Sequence, residues 1–449
     1  MTPDGYQRLD AAISARPGVI DSARQHAFNA ITRIMISKGG VMSSITAGDC
    51  AQYWHTRRDL GLKMHEGSLY YQSLFDLGIF GPHAPPNLTA ATRHGRLSCE
   101  EIVDRYQIAH KPFRDLLVAY LAMRRPSMDY TSLTNIANNL GRLFWKDLEE
   151  HHPGIDSMHL PPEVAQAWKQ RLTGLVLRPN GTGQRKVPQN AMMHVRAFYA
   201  DIAHWAIEDP ARWAPFAAPC PVRAADTSLV KTRKRRKAEM DQRTRLRAPV
   251  LATLLSAVER ERHKTAEHLA AASATPPGGT YTHDGDQYAR LPSGANSLRV
   301  FARNVGDGSR HDVTFLEDRA FWCWAVVETL RHTGIRIEEL LELTHHSFCT
   351  YTLPTTGEVV PMLQIAPSKT DTERLLLVSP ELGEVLAAVI NRVRAGKQRL
   401  PLVSLWDVFE RQWSPLMPFL FQRIAGGVSR PITRRFVSNA LEWHWNRPA

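Results

Sequence analysis

The fold is decided by the stretch Thr333-Gly334-Ile335-Arg336-Ile337-Glu338-Glu339-Leu340-Leu341, which is followed, after a turn-rich gap, by Ser368-Lys369-Thr370-Asp371-Thr372-Glu373-Arg374. In the first stretch, Gly334 predicts that a helix ends in a left-handed turn, so that Arg336 projects from a fixed corner where the next helix begins. In the second, Lys369 lies at the tip of a predicted β-hairpin. An arginine and a lysine on two separate rigid elements suit a site that grips a phosphodiester and protonates its leaving oxygen.

Outside these stretches the apolar periodicity predicts a mainly α chain with a small β-hairpin or sheet. From Leu133 to Phe144, for example, apolar residues recur at helical spacing, with Ser132 as the candidate N-cap. We expect an N-terminal helical region (1–109), a second helical domain (110–215), a Pro-rich and then basic linker (216–247), and a last domain (248–449) that contains a long loop or irregular β insertion (275–316).

The charge is concentrated in one short segment. The formal net charge is +12, and nine basic residues against two acidic ones give +7 between Lys231 and Arg247. The basic residues are Lys231, Arg233, Lys234, Arg235, Arg236, Lys237, Arg243, Arg245 and Arg247. The segment is interpreted either as a solvated flexible linker or as a strap that neutralises phosphates, and the basic chain as a whole favours the second.

Composition excludes several other classes of protein. At 449 residues the chain is long enough for two or three domains. It has no apolar run of the roughly 18–20 residues that would span a bilayer. Its five cysteines are scattered and form no C-x-x-C pair, which favours a cytoplasmic protein without a disulfide framework or a structural zinc. Because no nucleotide-binding or metal-binding motif is found either, we expect neither a metal site nor a small-molecule cofactor.

The two stretches resemble conserved parts of the tyrosine recombinase (phage integrase) family. Residues 333–341 are similar to the family's first box, and Ser368-Lys369-Thr370 to its catalytic-lysine turn. The resemblance implies a helical core-binding domain, a basic linker and an α/β catalytic domain. It implies that Arg336 binds the scissile phosphate and that Lys369 protonates the leaving 5′-oxygen. Glu339, one helical turn after Arg336, is expected to orient the Arg336 guanidinium. The implied partners are duplex DNA and further copies of the same chain.

The chain departs from the family pattern after Lys369. The family has an H-x-x-R box and a tyrosine nucleophile there, but the sequence has no tyrosine after Tyr351. The one H-x-x-R match after Lys369, His444 to Arg447, lies at the very end and in unlike surroundings. We therefore expect a catalytic domain that is incomplete at its C-terminus and a chain that binds DNA without cutting it alone.

Three interpretations of function remain open at the level of sequence. The first is a tyrosine recombinase that is truncated or completed by another polypeptide. The second is a non-catalytic protein that occupies recombination sites on DNA. The third is a binder of RNA or of polyanions in general.

Overall fold

The computed structural model describes residues 3–16, 18–62, 68–93, 95–178, 181–184, 188–293, 297–367, 372–425 and 427–445. Contacts divide the chain into two compact units. Unit 1 comprises Met1–Arg93, Ala248–Trp406 and Trp413–Ala449, and unit 2 comprises His94–Arg247 and Asp407–Gln412. The architecture is mainly helical with small antiparallel sheets, which confirms the predicted fold class at that level. Within the described ranges, no helix combines the length and the apolar composition needed to cross a membrane.

The N-terminal part of unit 1 is a group of short helices around an apolar core. They are α1 (Pro3–Ser14), α2 (Asp21–Lys38), α3 (Ala47–Asp59), α4 (Leu69–Asp76) and α5 (Leu88–Thr92). The buried side chains include Leu9, Ile31 and Leu74. Helix α2 ends where the sequence predicts, because Gly39 adopts φ +69° and its N–H bonds back to the last turn.

Unit 2 is built from helices that enclose an aromatic core. Its elements are α6 (Cys99–Asp104), α7 (Lys111–Arg124), α8 (Tyr130–Ala137), a π-helix (Asn138–Lys146), α9 (Asp147–His151), α10 (Pro162–Thr173), the antiparallel pair β1 (Leu175–Arg178) and β2 (Gly181–Gln184), α11 (Pro188–Glu208), α12 (Pro210–Trp213) and the first part of α13 (Val230–Ala274). In the core, Phe113 stacks on Trp145 with ring centroids 3.8 Å apart. The indole of buried Trp168 donates to the Leu143 carbonyl at 2.7 Å, which satisfies its only polar group.

Two local predictions for unit 2 were wrong. The N-cap of α8 is Asp129, whose carboxylate accepts from the Ser132 backbone N–H at 2.6 Å, so Ser132 lies inside the first turn. The helix predicted to continue regularly past Ala137 widens into the π-helix at Asn138–Lys146. The wider turn brings the Gly141 backbone against the Tyr106 ring, since an added Cβ would lie 2.5 Å from it.

The basic segment was expected to be a linker, and it is helical instead. It forms the start of α13, which runs without interruption for 45 residues. From Lys231 to Arg247 the sequence contains no glycine or proline and is rich in Arg and Lys, which are good helix formers. Pro249 is accommodated within the same helix. Because it carries no N–H, it leaves one carbonyl of the preceding turn without its usual donor.

The rest of unit 1 combines small sheets with helices. Its elements are β3 (Thr280–His283), β4 (Asp286–Leu291), β5 (Phe301–Asn304), β6 (Arg310–Asp312), α14 (Val313–Thr333), α15 (Ile337–Leu341), β7 (Phe348–Thr352), β8 (Val359–Ile365), β9 (Arg374–Leu377), α16 (Pro380–Arg394), β12 (Gln422–Ala425), β13 (Val428–Pro431) and α17 (Arg434–Trp445). The short strands β10 (Trp406–Asp407) and β11 (Gln412–Trp413) each have one residue in each unit. Within 275–316 the described residues form an antiparallel sheet, ordered β3-β4-β5-β6, and residues 313–316 begin α14. This corresponds to the β insertion among the two predicted alternatives rather than to the loop.

A single apolar core organises the part of unit 1 that carries the two stretches. The middle of α14 is buried on every side, with Trp322 at 1% exposure. It packs against α15, α16 and α17. Leu340 of α15 and Leu363 of β8 lie in the same core. Strands β7, β8 and β9 form an antiparallel sheet in that order, which confirms the predicted hairpin and adds one strand to it.

Candidate phosphate-binding site

The corner that presents Arg336 has the predicted conformation. Helix α14 ends at Gly334, which adopts φ +64° and whose N–H bonds to the Leu330 carbonyl at 2.9 Å. Ile335 is buried, and Arg336 follows in extended conformation as the N-cap residue of α15. Because glycine tolerates a positive φ, the chain reverses here within two residues. Arg336 is therefore fixed at its backbone on both sides.

The carboxylate of Glu339 is the centre of the site. Its side chain is only 2% exposed, so its charge must be paired within the protein. Oε1 accepts from Arg336 Nη1 at 2.7 Å, and Oε2 accepts from the Arg336 backbone N–H at 2.9 Å. Because Leu340 and Leu341 bury the same short helix, the carboxylate is held in one place.

A second arginine, Arg374, reaches the same carboxylate from another element. It opens β9 opposite Ile365, and its Nη2 donates to Glu339 Oε2 at 2.5 Å. The side chains of Arg336 and Arg374 remain 46% and 40% exposed, in contrast to the buried acid between them. Among the described residues, one buried carboxylate therefore holds two guanidinium groups that both remain accessible from solvent.

Arg374 was missed as a site residue by sequence reasoning. Its position beside a predicted hairpin turn indicates a solvated residue at the start of a strand, because charged residues are common there. The available signal was Glu339 itself: an acidic residue inside an apolar helical run needs a cationic partner, and one arginine at its own N-cap leaves room for a second.

The other predicted residues of the site have different outcomes. Lys369 lies outside the described residues, as does Arg447, and nothing is described of the His444 side chain. The pair His345 and His346 lies on a single exposed turn. Among the residues that the structure describes, no cluster of His, Cys, Asp and Glu could hold a metal ion.

The basic start of α13 is exposed on all sides from Arg233 onward, and its charges are not evenly distributed around it. At about 100° per residue, five of them fall within an arc of about 120°, which contains neither acidic residue. This basic face consists of Arg233, Arg236, Lys237, Arg243 and Arg247. Lys234, Arg235 and Arg245 point to the opposite side, and Arg235 is paired there with Glu239 at 3.7 Å. Lys231, also predicted to bind DNA, carries a side chain outside the described part.

The arginine site and the basic face of α13 both present positively charged hydrogen-bond donors to phosphate groups, the first to one phosphate and the second to several. Paired guanidinium groups provide planar donors for the non-bridging oxygens of one phosphate, and their orientation is set by a buried carboxylate. The basic face spans about 21 Å from Arg233 to Arg247 at 1.5 Å per residue, which is enough for several consecutive phosphates of one DNA strand.

Comparisons with known proteins add no assignment. No protein-family model matches the chain, and neither a curated protein nor a solved structure matches it.

Proposed function

We propose that this chain binds duplex DNA through the basic face of α13 and holds one backbone phosphate at Arg336 and Arg374. The observation that carries the proposal is the buried Glu339 carboxylate, which holds two half-exposed arginines from different elements. Because both guanidinium groups are oriented by one carboxylate and are still 46% and 40% exposed, they can donate to the oxygens of an anion that approaches from solvent.

We further propose that the chain binds DNA as part of site-specific recombination, in the manner of a tyrosine recombinase. The support is the order of the parts along the chain: a helical unit, a basic segment, then the Arg336 corner followed by a hairpin. Arg336 would stabilise the charge that develops on the phosphate, and Glu339 would position it. Since the sequence has no tyrosine after Tyr351, the proposal covers phosphate binding, and strand cleavage belongs to the alternative in which a nucleophile comes from elsewhere.

Fluorescence anisotropy with a labelled 30-base-pair duplex and a structured RNA of equal charge tests the first part. We expect tighter binding to the duplex and a steep loss of affinity with salt. Preference for the RNA would contradict the proposal and favour the third interpretation of the sequence.

A nicked suicide duplex separates the recombinase from a non-catalytic protein that occupies its sites. Arg336→Ala and Arg374→Ala are compared with Arg434→Gln, which removes an exposed arginine that is paired with Glu338 instead of Glu339. We expect the first two to weaken binding by about tenfold each, the loss of one charge-assisted contact, and the control to have little effect. A covalent protein–DNA adduct that forms with the unmodified chain and disappears in Arg336→Ala would establish an enzyme. Equal binding by all three variants would rule out the phosphate site.

A further inference from the structure

Unit 1 contains a cavity of about 470 Å³ that is separate from the arginine site. One wall is the turn between α1 and α2, and the others come from the loop before β5, the first half of α14, the end of α16 and the β12–β13 pair. The turn approaches the loop closely at Gly18, where φ is +74° and an added Cβ would lie 3.3 Å from Leu298 Cδ1. The volume is within the range of small-molecule sites.

The walls are largely apolar. Trp322 and Val393 are buried at 1% and 8% exposure and form the inner part. Three large aliphatic residues lie along the same cavity yet remain accessible: Ile20 is 38% exposed, Leu298 64% and Ile424 43%. Exposed aliphatic groups gathered around one concavity indicate a surface that an apolar molecule would cover.

An ionic network lies beside this apolar wall. Asp318 accepts three hydrogen bonds, from Trp322 Nε1 at 3.0 Å, Arg392 Nη2 at 3.3 Å and Arg423 Nη1 at 2.5 Å. Arg392 is also held by both oxygens of Glu317, at 2.7 and 2.5 Å. The Asp318 and Arg392 side chains therefore have their charges paired.

Arg423 is also paired with Asp318, but it has fewer hydrogen-bond acceptors than Arg392 in this network. Among the described residues it donates one hydrogen bond, although its side chain is only 19% exposed and carries five N–H donors. Its guanidinium lies 4.6 Å from the centroid of Phe436 and 5.7 Å from that of Phe315, which shields it from water. Desolvation and, after it, the charge of Arg423 lower the pKa of the neighbouring Arg430.

We propose that this cavity binds a small amphipathic organic anion, with its apolar body against Trp322 and Val393 and its carboxylate or sulfonate on Arg423. An anion at this point would give the remaining guanidinium donors an acceptor in a partly dehydrated site, where such a bond is strong. The apolar body would cover the exposed aliphatic rim at the same time. The inference is independent of the DNA-binding proposal, because it uses none of the residues of the arginine site or of the basic face.

The probe is 8-anilinonaphthalene-1-sulfonate, an aromatic sulfonate whose fluorescence rises in apolar surroundings, titrated into the full chain. We expect saturable binding of one molecule per chain. Decanoate should displace it, whereas decanol and decylamine at the same concentration should not. Arg423→Gln and Leu298→Glu should each weaken binding by about tenfold or more, because one removes a charge-assisted contact and the other places a like charge at the mouth.

Matched controls are Arg394→Gln, an exposed arginine on α16 that does not line the cavity, and Leu377→Glu, a leucine at the end of β9 that is 68% exposed and does not line the cavity either. Both should bind the probe as the unmodified chain does. A thermal unfolding curve checks that Arg423→Gln is folded, and if it is not, Leu298→Glu decides, since its exposed position spares the core. The proposal is overturned if no saturable binding occurs, if decylamine displaces the probe as well as decanoate, or if folded variants and controls bind alike.

Discussion

The basic face of α13 gives the sharpest quantitative prediction. Arg233, Arg236 and Arg243 lie on this face, and changing all three to Gln removes three charges without changing the helix propensity much. Changing Lys234, Arg235 and Arg245 to Gln removes the same number from the opposite side. The two triple variants have the same net charge, so any difference between them comes from geometry.

The magnitude follows from counterion release. Each lost phosphate contact lowers the slope of log Kobs against log salt by about 0.9, so three contacts lower it by about 2.7. If the variant and the unmodified chain bind DNA equally at 1 M salt, this slope difference makes the affinity of the variant about 500-fold weaker at 0.1 M salt. The opposite-side variant should change the slope by less than about one contact, because those side chains point away from the duplex.

The assay is fluorescence anisotropy of a labelled duplex at several salt concentrations between about 50 and 300 mM, the range in which the slope is steep. Circular dichroism shows that both variants keep the helix. If both lost affinity equally, binding would depend on net charge alone, and the assignment of one face would be wrong. If neither lost affinity, the segment would not be the DNA-binding surface.

The remaining predictions concern the stability of the two units. Glu339→Gln removes the charge that holds Arg336 and Arg374. Because both arginines are half exposed, we expect a loss of about 2–3 kcal/mol in the free energy of unfolding, measured with urea. A change below about 0.5 kcal/mol would contradict the buried pairing. Gly334→Ala should cost about 1–2 kcal/mol because the residue has φ +64°. The control Gly383→Ala in α16 should be neutral or slightly stabilising, because the residue has no positive φ and an added Cβ would make only an ordinary contact, 3.9 Å from Val378 Cγ1. Desolvation lowers the pKa of His194 below the ordinary 6.5, so the unfolded chain binds the proton more readily than the folded one. Its contribution to stability is therefore present above pH 6.5 and is lost as the pH falls below it, and His194→Gln should lose less stability than the unmodified chain between pH 7.5 and 5.5; parallel losses would show that another group is responsible.

The sequence by itself determined the local geometry of the arginine corner. A glycine after an apolar helical run can take the left-handed conformation that ends a helix, and this requirement involves only neighbouring residues. The same holds for the hairpin strands, which follow from the spacing of apolar residues. The helical state of the basic segment is also encoded locally, in its lack of glycine and proline. The charge of the segment, from which we predicted a linker, does not indicate a helix.

Only the tertiary structure decided which residues share a site. Arg374 and Glu339 are 35 positions apart in the chain and meet because β9 packs beside α15, and no periodicity in either segment records that contact. The cavity beside Arg423 likewise draws its walls from both ends of the chain. A local pattern specifies how a segment bends and which of its sides is apolar. A contact between distant residues depends on how whole elements pack, which is determined by the sequence of all the elements together and not by any one segment.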